Sequence, residues 1–377
     1  MKSPPVEAAC SARINTAALR HNYARLQKMA KGVKVLALLK ANAYGHGLLN
    51  VARALPDADA FGVARLEEAV WLREAGIEQR IVILGGVHTP YEWRVVDRMQ
   101  LDVVIHQLSQ LQACEDFCSG LNDSQQCGFA VWLKFDSGMH RLGLDLSVLQ
   151  NVKARVNQLQ KFFSKPVIVM SHLANADDSQ DPFNQAQAHA FDSIRQAFLQ
   201  DSGSQDYQFS LQNSGSLLAG ADISEDWVRP GIALFGIAPF EQQTGREFDL
   251  KPVMSLESRL IAIKTVKASE AVGYRQNWRA EKDTRIGIAS IGYGDGYPWQ
   301  ASNGTPVMVD GVECQLVGRV SMDLITIDLT NQPQARLQSR VQLWGDELAV
   351  ETVAECAQTI PYTLVCGITQ RVANEVV

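Results

Sequence analysis

The chain has 377 residues, 46% hydrophobic and 20% charged, enough to bury one large core or two moderate ones in a soluble globular protein. A formal net charge of −6 gives no electrostatic reason to expect nucleic acid or an anionic membrane as a partner. No stretch approaches the roughly 18 apolar residues of a membrane span, and the opening MKSPPVEAACSARI has two prolines and a glutamate where a secretory signal needs an apolar core. A cytoplasmic location is therefore expected. Seven cysteines without a CxxC pair fit a reduced compartment better than a disulfide framework, and read as small core residues.

In chain order, apolar runs predict strands at 35–39, 60–64, 81–84, 103–105, 129–135, 167–170 and 208–211, and around Trp227 and Val228. Helix-length amphipathic segments such as RLEEAVWLREAG (65–76) and PFNQAQAHAFDSIRQAFLQ (182–200) lie between them. About eight strands alternating with helical segments predict a closed (β/α)8 barrel of the TIM type over residues 1–240. EQQTGREFDLKP (241–252) is polar and reads as a linker. Beyond it, RLIAIKTV (259–266), RIGIASI (285–291) and LITIDLT (324–330), with a turn at Asp310-Gly311, predict a second, mainly β domain over 241–377. The fold class expected is α/β plus β.

The first strand ends on Lys40. Active sites of such barrels lie at the C-terminal ends of the strands, so this lysine would stand at the mouth. Held against apolar walls, its amine would lose hydration and become neutral enough to form a Schiff base. A strand-end lysine can also snorkel into solvent. The loop that follows, ANAYGHG, favours the first reading, because glycines, a tyrosine and a histidine suit close approach to a ligand.

KANAYGHG (40–47), KFDSGMHRLG (134–143), SHLANAD (171–177), QNSGS (212–216), VRPGIALFG (228–236), IGYGDGYP (291–298), GRVSMD (318–323) and IPYTL (360–364) occur in the order found in bacterial alanine racemases. The chain resembles that family from about residue 11 to its end. The resemblance implies pyridoxal 5'-phosphate as cofactor, alanine as substrate, and a head-to-tail homodimer with shared active sites. Lys40 would carry the cofactor and act as one base at the substrate α-carbon; Tyr293 would be the other. Tyr44, Ser214, Tyr362 and the backbone of Gly231 and Ile232 resemble the family's phosphate contacts. Arg229 resembles the arginine facing the pyridine nitrogen, where a group that stays charged and only donates leaves that nitrogen unprotonated. His172, Arg229 and Arg141 resemble the network that favours phenolate at the second base. Arg141 and the backbone of Met322 would hold the substrate carboxylate, and Asp323 would shape the site. Lys134 matches a lysine carbamylated in some members, where it orients the arginine seven residues on. Tyr293, Met322 and Asp323 would come from the other subunit.

One departure from the family pattern is Arg275-Gln276, where many members have glycines or a short polar turn. Three other readings stay open: a racemase of broader specificity, a pyridoxal phosphate carrier on the same barrel, and a basic amino acid decarboxylase. The carrier should lack the β domain, and a decarboxylase should not grip the carboxylate as Arg141 would.

Overall fold

The computed structural model describes residues 8–122, 125–200 and 206–377. The first seven residues, part of the opening read against a secretory signal, lie outside that range. A first strand, β1 (Cys10–Ile14), precedes the barrel strands β2 (Lys34–Leu38), β3 (Ala60–Val63), β4 (Arg80–Ile83), β5 (Asp102–Ile105), β6 (Val131–Lys134), β7 (Val167–Met170), β8 (Tyr207–Ser210) and β9 (Trp227–Val228). β2 to β8 pair in sequence order, β9 pairs with β2, and every one of these ladders is parallel. The last seam, between β8 and β9, is closed beyond the ladder: Arg229 N–H donates to Gln212 O (2.9 Å) and Asp226 N–H to Phe209 O (3.0 Å).

Parallel strands covered on both faces read as continuous apolar runs, which is why the eight expected strands coincide with β2–β9 to within about two residues. The helix expected at 182–200 spans Pro182–Leu199, started by proline at its first turn and by Asp181, whose carboxylate accepts the Phe183 N–H (2.8 Å). The barrel floor is plugged at the N-terminal ends of the strands. There Arg80 and Asp102, the first residues of β4 and β5, form an ion pair, and the Arg80 guanidinium lies over Trp132 and Trp227 (5.5 and 5.2 Å). The functional end is the opposite one.

The second sheet contains β10 (Met254–Val266), β13 (Thr284–Ala289), β14 (Pro306–Val309), β15 (Val312–Leu316), β16 (Ile325–Asp328), β17 (Arg340–Trp344) and β18 (Ala373–Val376); β11 (Ala271–Val272) and β12 (Trp278–Arg279) form a small separate hairpin. β14 and β15 are joined by Asp310-Gly311 with φ of 46° and 80°, the turn expected there, in the conformation that two-residue hairpins favour. The departure at 275–276 has a backbone counterpart: Arg275 and Gln276 both take positive φ (60° and 51°), where glycine would be unstrained.

The division at residue 240 needs one correction. β1 belongs to the second sheet, antiparallel to β10 and parallel to β18, although it precedes the barrel in the chain. Its partners lie some 240 or more residues away, so no local pattern could assign it. The linker is fastened as well: the half-buried Glu351 carboxylate accepts the N–H groups of Ala238 (3.0 Å) and Gly245 (2.9 Å). Among the described residues, no helix is long and apolar enough to cross a membrane.

Candidate active site

A cavity of about 410 Å³ opens at the C-terminal ends of the barrel strands. Lys40, Tyr44, Arg141, His172, Ser214, Arg229, Gly231, Ile232 and Tyr362 all line it. Each barrel residue arrives by its place on a strand end or the loop after it: Lys40 two residues beyond β2, His172 two beyond β7, Arg229 directly after β9. Tyr362 comes instead from the helix Pro361–Cys366 of the second domain.

Lys40 leads into an unusual turn. Ala41, Asn42, Ala43 and Tyr44 all have φ of 53–54°, four consecutive non-glycine residues in the left-handed region. That conformation costs about 1–2 kcal/mol per residue, so surrounding contacts must impose it. Asn42 Oδ1 accepts the Leu48 N–H (2.8 Å), and Ala43 N–H donates to Leu39 O (2.7 Å). His46 Nδ1 donates to the carbonyls of Tyr44 (2.9 Å) and Ala43 (3.1 Å), and the ring stacks on Phe235 (4.3 Å). Gly45 ends the turn at φ 82°; a Cβ there would lie 2.0 Å from Val365 O, so glycine is required on both counts.

The cavity is strongly cationic. Among the described residues, Asp177 is the one acidic side chain in its lining. Burial, and then Arg141, lower the Lys40 pKa, while Cys366 and Glu68 oppose the shift. Lys134, the last residue of β6, is pushed down to about 8 by burial and by Arg229 and Arg141. His172 falls to about 2, again chiefly through burial and then Arg229, and is therefore neutral. Arg229 is buried and donates to Ser210 Oγ (2.6 Å), Ser171 O (2.6 Å) and Leu211 O (3.1 Å). Arg141 is exposed at the cavity rim and has no hydrogen-bond or ion-pair partner among the described residues. Ser214 Oγ accepts the N–H groups of Gly231 (2.8 Å) and Ala233 (3.4 Å), gathering two strand-end loops at one wall. At Gly231 a Cβ would come within 2.4 Å of Tyr44 Oη, so its absence lets the tyrosine seat there. The Tyr44 and Tyr362 rings lie 6.1 Å apart, and burial raises both phenol pKa values.

These groups would suit an anionic ligand with a reactive carbonyl: an amine biased toward its neutral form, tyrosines and a serine at one wall, and an unpaired guanidinium at the rim. Tyr293, Met322 and Asp323 stand elsewhere. They cluster on the second domain, where Tyr293 N–H donates to Ser321 O (3.0 Å) and Gly294 N–H to Met322 O (2.8 Å). Arg371 bonds Asp323 (2.7 Å) there. Tyr293 and Met322 are 42% and 53% exposed, and none of the three lines the cavity containing Lys40. Asp177 and Asn213 also line the cavity; both fall inside the motifs SHLANAD and QNSGS, in which only His172 and Ser214 are expected to act.

Comparison with known proteins agrees in both halves. Residues 14–239 match the family model described as alanine racemase, N-terminal domain, and residues 253–376 the one described as alanine racemase, C-terminal domain. The chain is 44% identical over 362 residues to an alanine racemase of Shewanella woodyi, covering 96% of this chain and 97% of that protein. It is 42% identical over 365 residues to the biosynthetic alanine racemase of Escherichia coli K12, covering 97% and 98%. Among solved structures, the biosynthetic alanine racemase of Pseudomonas aeruginosa superposes with a TM-score of 0.89 at 39% identity, over 98% of this chain and 100% of that one. The alanine racemase of Bartonella henselae with covalently bound pyridoxal phosphate superposes with a TM-score of 0.86 at 29% identity, over the same shares. With a parallel barrel and a β domain in the family's order, and both family models matched across them, the chain belongs to the alanine racemase family.

Proposed function

We propose that the protein interconverts L-alanine and D-alanine by proton transfer at the α-carbon, using pyridoxal 5'-phosphate bound at Lys40. The single observation that carries this reading is the lysine biased toward its neutral form at the base of a cationic cavity, in a chain whose full length matches alanine racemases. The residues present fit the cofactor. An anionic phosphate suits the wall made by Tyr44, Ser214, Gly231, Ile232 and Tyr362, and an aldehyde requires a neutral amine. When bound, pyridoxal phosphate withdraws electrons from the α-carbon of an amino acid joined to it and so acidifies the α-proton.

The chain's own groups then divide the work. Lys40 Nζ, lowered in pKa, takes or returns the α-proton on one face. Arg141, free of any carboxylate, receives that of the substrate and fixes which bonds at the α-carbon face the bases. Arg229 stays cationic and offers only donors, so a pyridine nitrogen held against it would gain no proton from it. Lys134, lowered to about 8, offers a larger fraction of free amine than an ordinary lysine, as carbamylation requires, and a carbamate would orient Arg141. Tyr293 Oη is assigned the opposite face, with Met322 and Asp323 beside it. Because these three lie outside the chain's own cavity, the reading places them in the cavity of a second copy, in a head-to-tail homodimer. A cytoplasmic location completes it, in keeping with seven cysteines that are all free thiols.

The test is to incubate purified protein with pyridoxal phosphate and each enantiomer of alanine in D2O. Racemisation with α-deuterium in the product is expected from both enantiomers, and much less from other amino acids. Neither racemisation nor deuterium from alanine would overturn the reading; equal rates with bulkier amino acids would favour a racemase of broader specificity.

A further inference from the structure

The segment RLEEAVWLREAG forms the barrel helix Leu66–Glu74, and capping of that helix uses only one of the two oxygens of Glu68. Glu68 Oε2 accepts the N–H groups of Ala64 (2.8 Å) and Arg65 (3.1 Å), the ordinary work of a capping-box glutamate. Glu68 Oε1 reaches across to the neighbouring strand end and accepts the N–H of Ala41 (2.8 Å), the residue directly after Lys40. Ala41 is also the first of the four non-glycine residues in the left-handed region. Of Ala-Asn-Ala-Tyr only Asn42 is a residue type that enters that conformation readily, so the groups that bond the backbone decide whether the run of four persists. The other supports, Asn42 Oδ1 and His46 Nδ1, come from within the loop itself; Glu68 comes from the adjacent β/α unit. The same carboxylate is near enough to Lys40 to act on the amine electrostatically, opposing burial and Arg141.

We propose that Glu68 is a positioning residue for Lys40: by accepting the Ala41 N–H, its carboxylate holds the left-handed turn in the conformation that presents the Lys40 amine to the cavity. The inference rests on the reading of Lys40 as the cofactor-bearing lysine. A charge-assisted acceptor suits the task, because it bonds a backbone donor more strongly than a neutral one and its second oxygen is already anchored. The helix after β3 therefore sets the geometry of the lysine just beyond β2.

The matched control is Glu92, which caps the helix Pro90–Arg98 through the His88 and Thr89 N–H groups (2.7 and 2.8 Å) and has no contact with the Lys40 turn. Three measurements are made on Glu68→Ala, Glu68→Gln, Glu92→Ala and Lys40→Ala. These are the thermal midpoint of the cofactor-free protein, the pyridoxal phosphate affinity from tryptophan quenching, and the visible circular dichroism of bound cofactor. Glu68→Ala and Glu92→Ala should lower the midpoint alike. Only Glu68→Ala should weaken cofactor binding, by about ten- to a hundred-fold for one lost charge-assisted bond, and alter the visible dichroism. Glu68→Gln keeps one acceptor oxygen and should fall between Glu68→Ala and the unsubstituted protein. Affinity and dichroism in Glu68→Ala equal to those of Glu92→Ala would reduce Glu68 to a helix cap and overturn the proposal. If Glu68→Ala does not fold, Glu68→Gln decides, and its equality with the unsubstituted protein is the overturning result. A visible Schiff-base band retained in Lys40→Ala would instead mean that the assignment of Lys40 has failed, whatever Glu68 does.

Discussion

Arg229 Nη2 lies 3.4 Å from His172 Nδ1, and among the described residues neither side chain is paired with a carboxylate. Burial, and then the arginine, keep the imidazole in its neutral form, so His172 Nδ1 is the acceptor in that contact and the ring proton sits on Nε2. Replacing Arg229 by glutamine removes the second-largest cause of the depressed histidine pKa. His172 should then titrate well above its present value of about 2, as read by NMR of the ring protons. The carbonyls of Ser171 and Leu211 would also lose their donor, for a stability loss of about 1–3 kcal/mol. A histidine that still does not titrate above the acid range would show that burial alone sets its state.

Stability should fall as the solution is acidified below about 6.5, the ordinary histidine value. Between that value and about 2, an unfolded chain binds a proton at His172 that the native chain refuses, so unfolding takes up protons and acid favours it. His46, lowered to about 4 by burial, acts in the same sense over the upper part of that window. Each site contributes at most about 1.4 kcal/mol per pH unit. Urea unfolding at several pH values between 6.5 and 4.5 should show a shallower decline in His172→Gln than in the unsubstituted protein. Parallel declines would remove His172 from the account.

Gly231→Ala should fold and yet bind pyridoxal phosphate poorly. The added methyl group would lie 2.4 Å from Tyr44 Oη and 3.6 Å from Leu38 Cβ, so the tyrosine hydroxyl must leave its place. Cofactor titration should show a weakening of about tenfold or more, the scale of one lost phosphate hydrogen bond. Unchanged affinity would argue that Tyr44 takes no part in holding the phosphate.

Lys40→Ala and Tyr293→Phe should each be inactive alone and partly active together. Lys40 lines the cavity, whereas Tyr293 stands 42% exposed on the second domain beside Met322. In a mixed head-to-tail dimer one of the two cavities would have both groups. Co-expressed chains, with the mixed dimer purified by two different tags, should recover up to half of the activity per dimer. Verified mixed dimers without recovery would mean that each chain completes its own site.

In Tyr293→Phe, exchange of the α-proton with D2O should survive better from D-alanine than from L-alanine, because Lys40 still serves one face. Racemisation should fall in both directions, since mutation cannot move the equilibrium. Equal exchange from both enantiomers with the cofactor bound would exclude Tyr293 as a base for one face.

The sequence alone determined the barrel, because β2–β9 are covered on both faces and each reads as an apolar run with a helical pattern after it. It also carried the order of the motifs, and with them Lys40, Tyr44, His172, Ser214, Arg229 and Tyr362 as companions in one cavity. Tertiary structure decided what depends on distant partners. β1 joins the second sheet because β10 and β18 supply its backbone bonds, and no periodicity within Cys10–Ile14 encodes that choice. The left-handed turn at 41–44 has no glycine to announce it; its conformation is imposed by Asn42, His46 and Glu68, the last reaching over from another β/α unit. The separation of Tyr293 from Lys40 is likewise a matter of packing: local sequence places residues at strand ends and turns, while only the assembled chain sets which of those ends face one another.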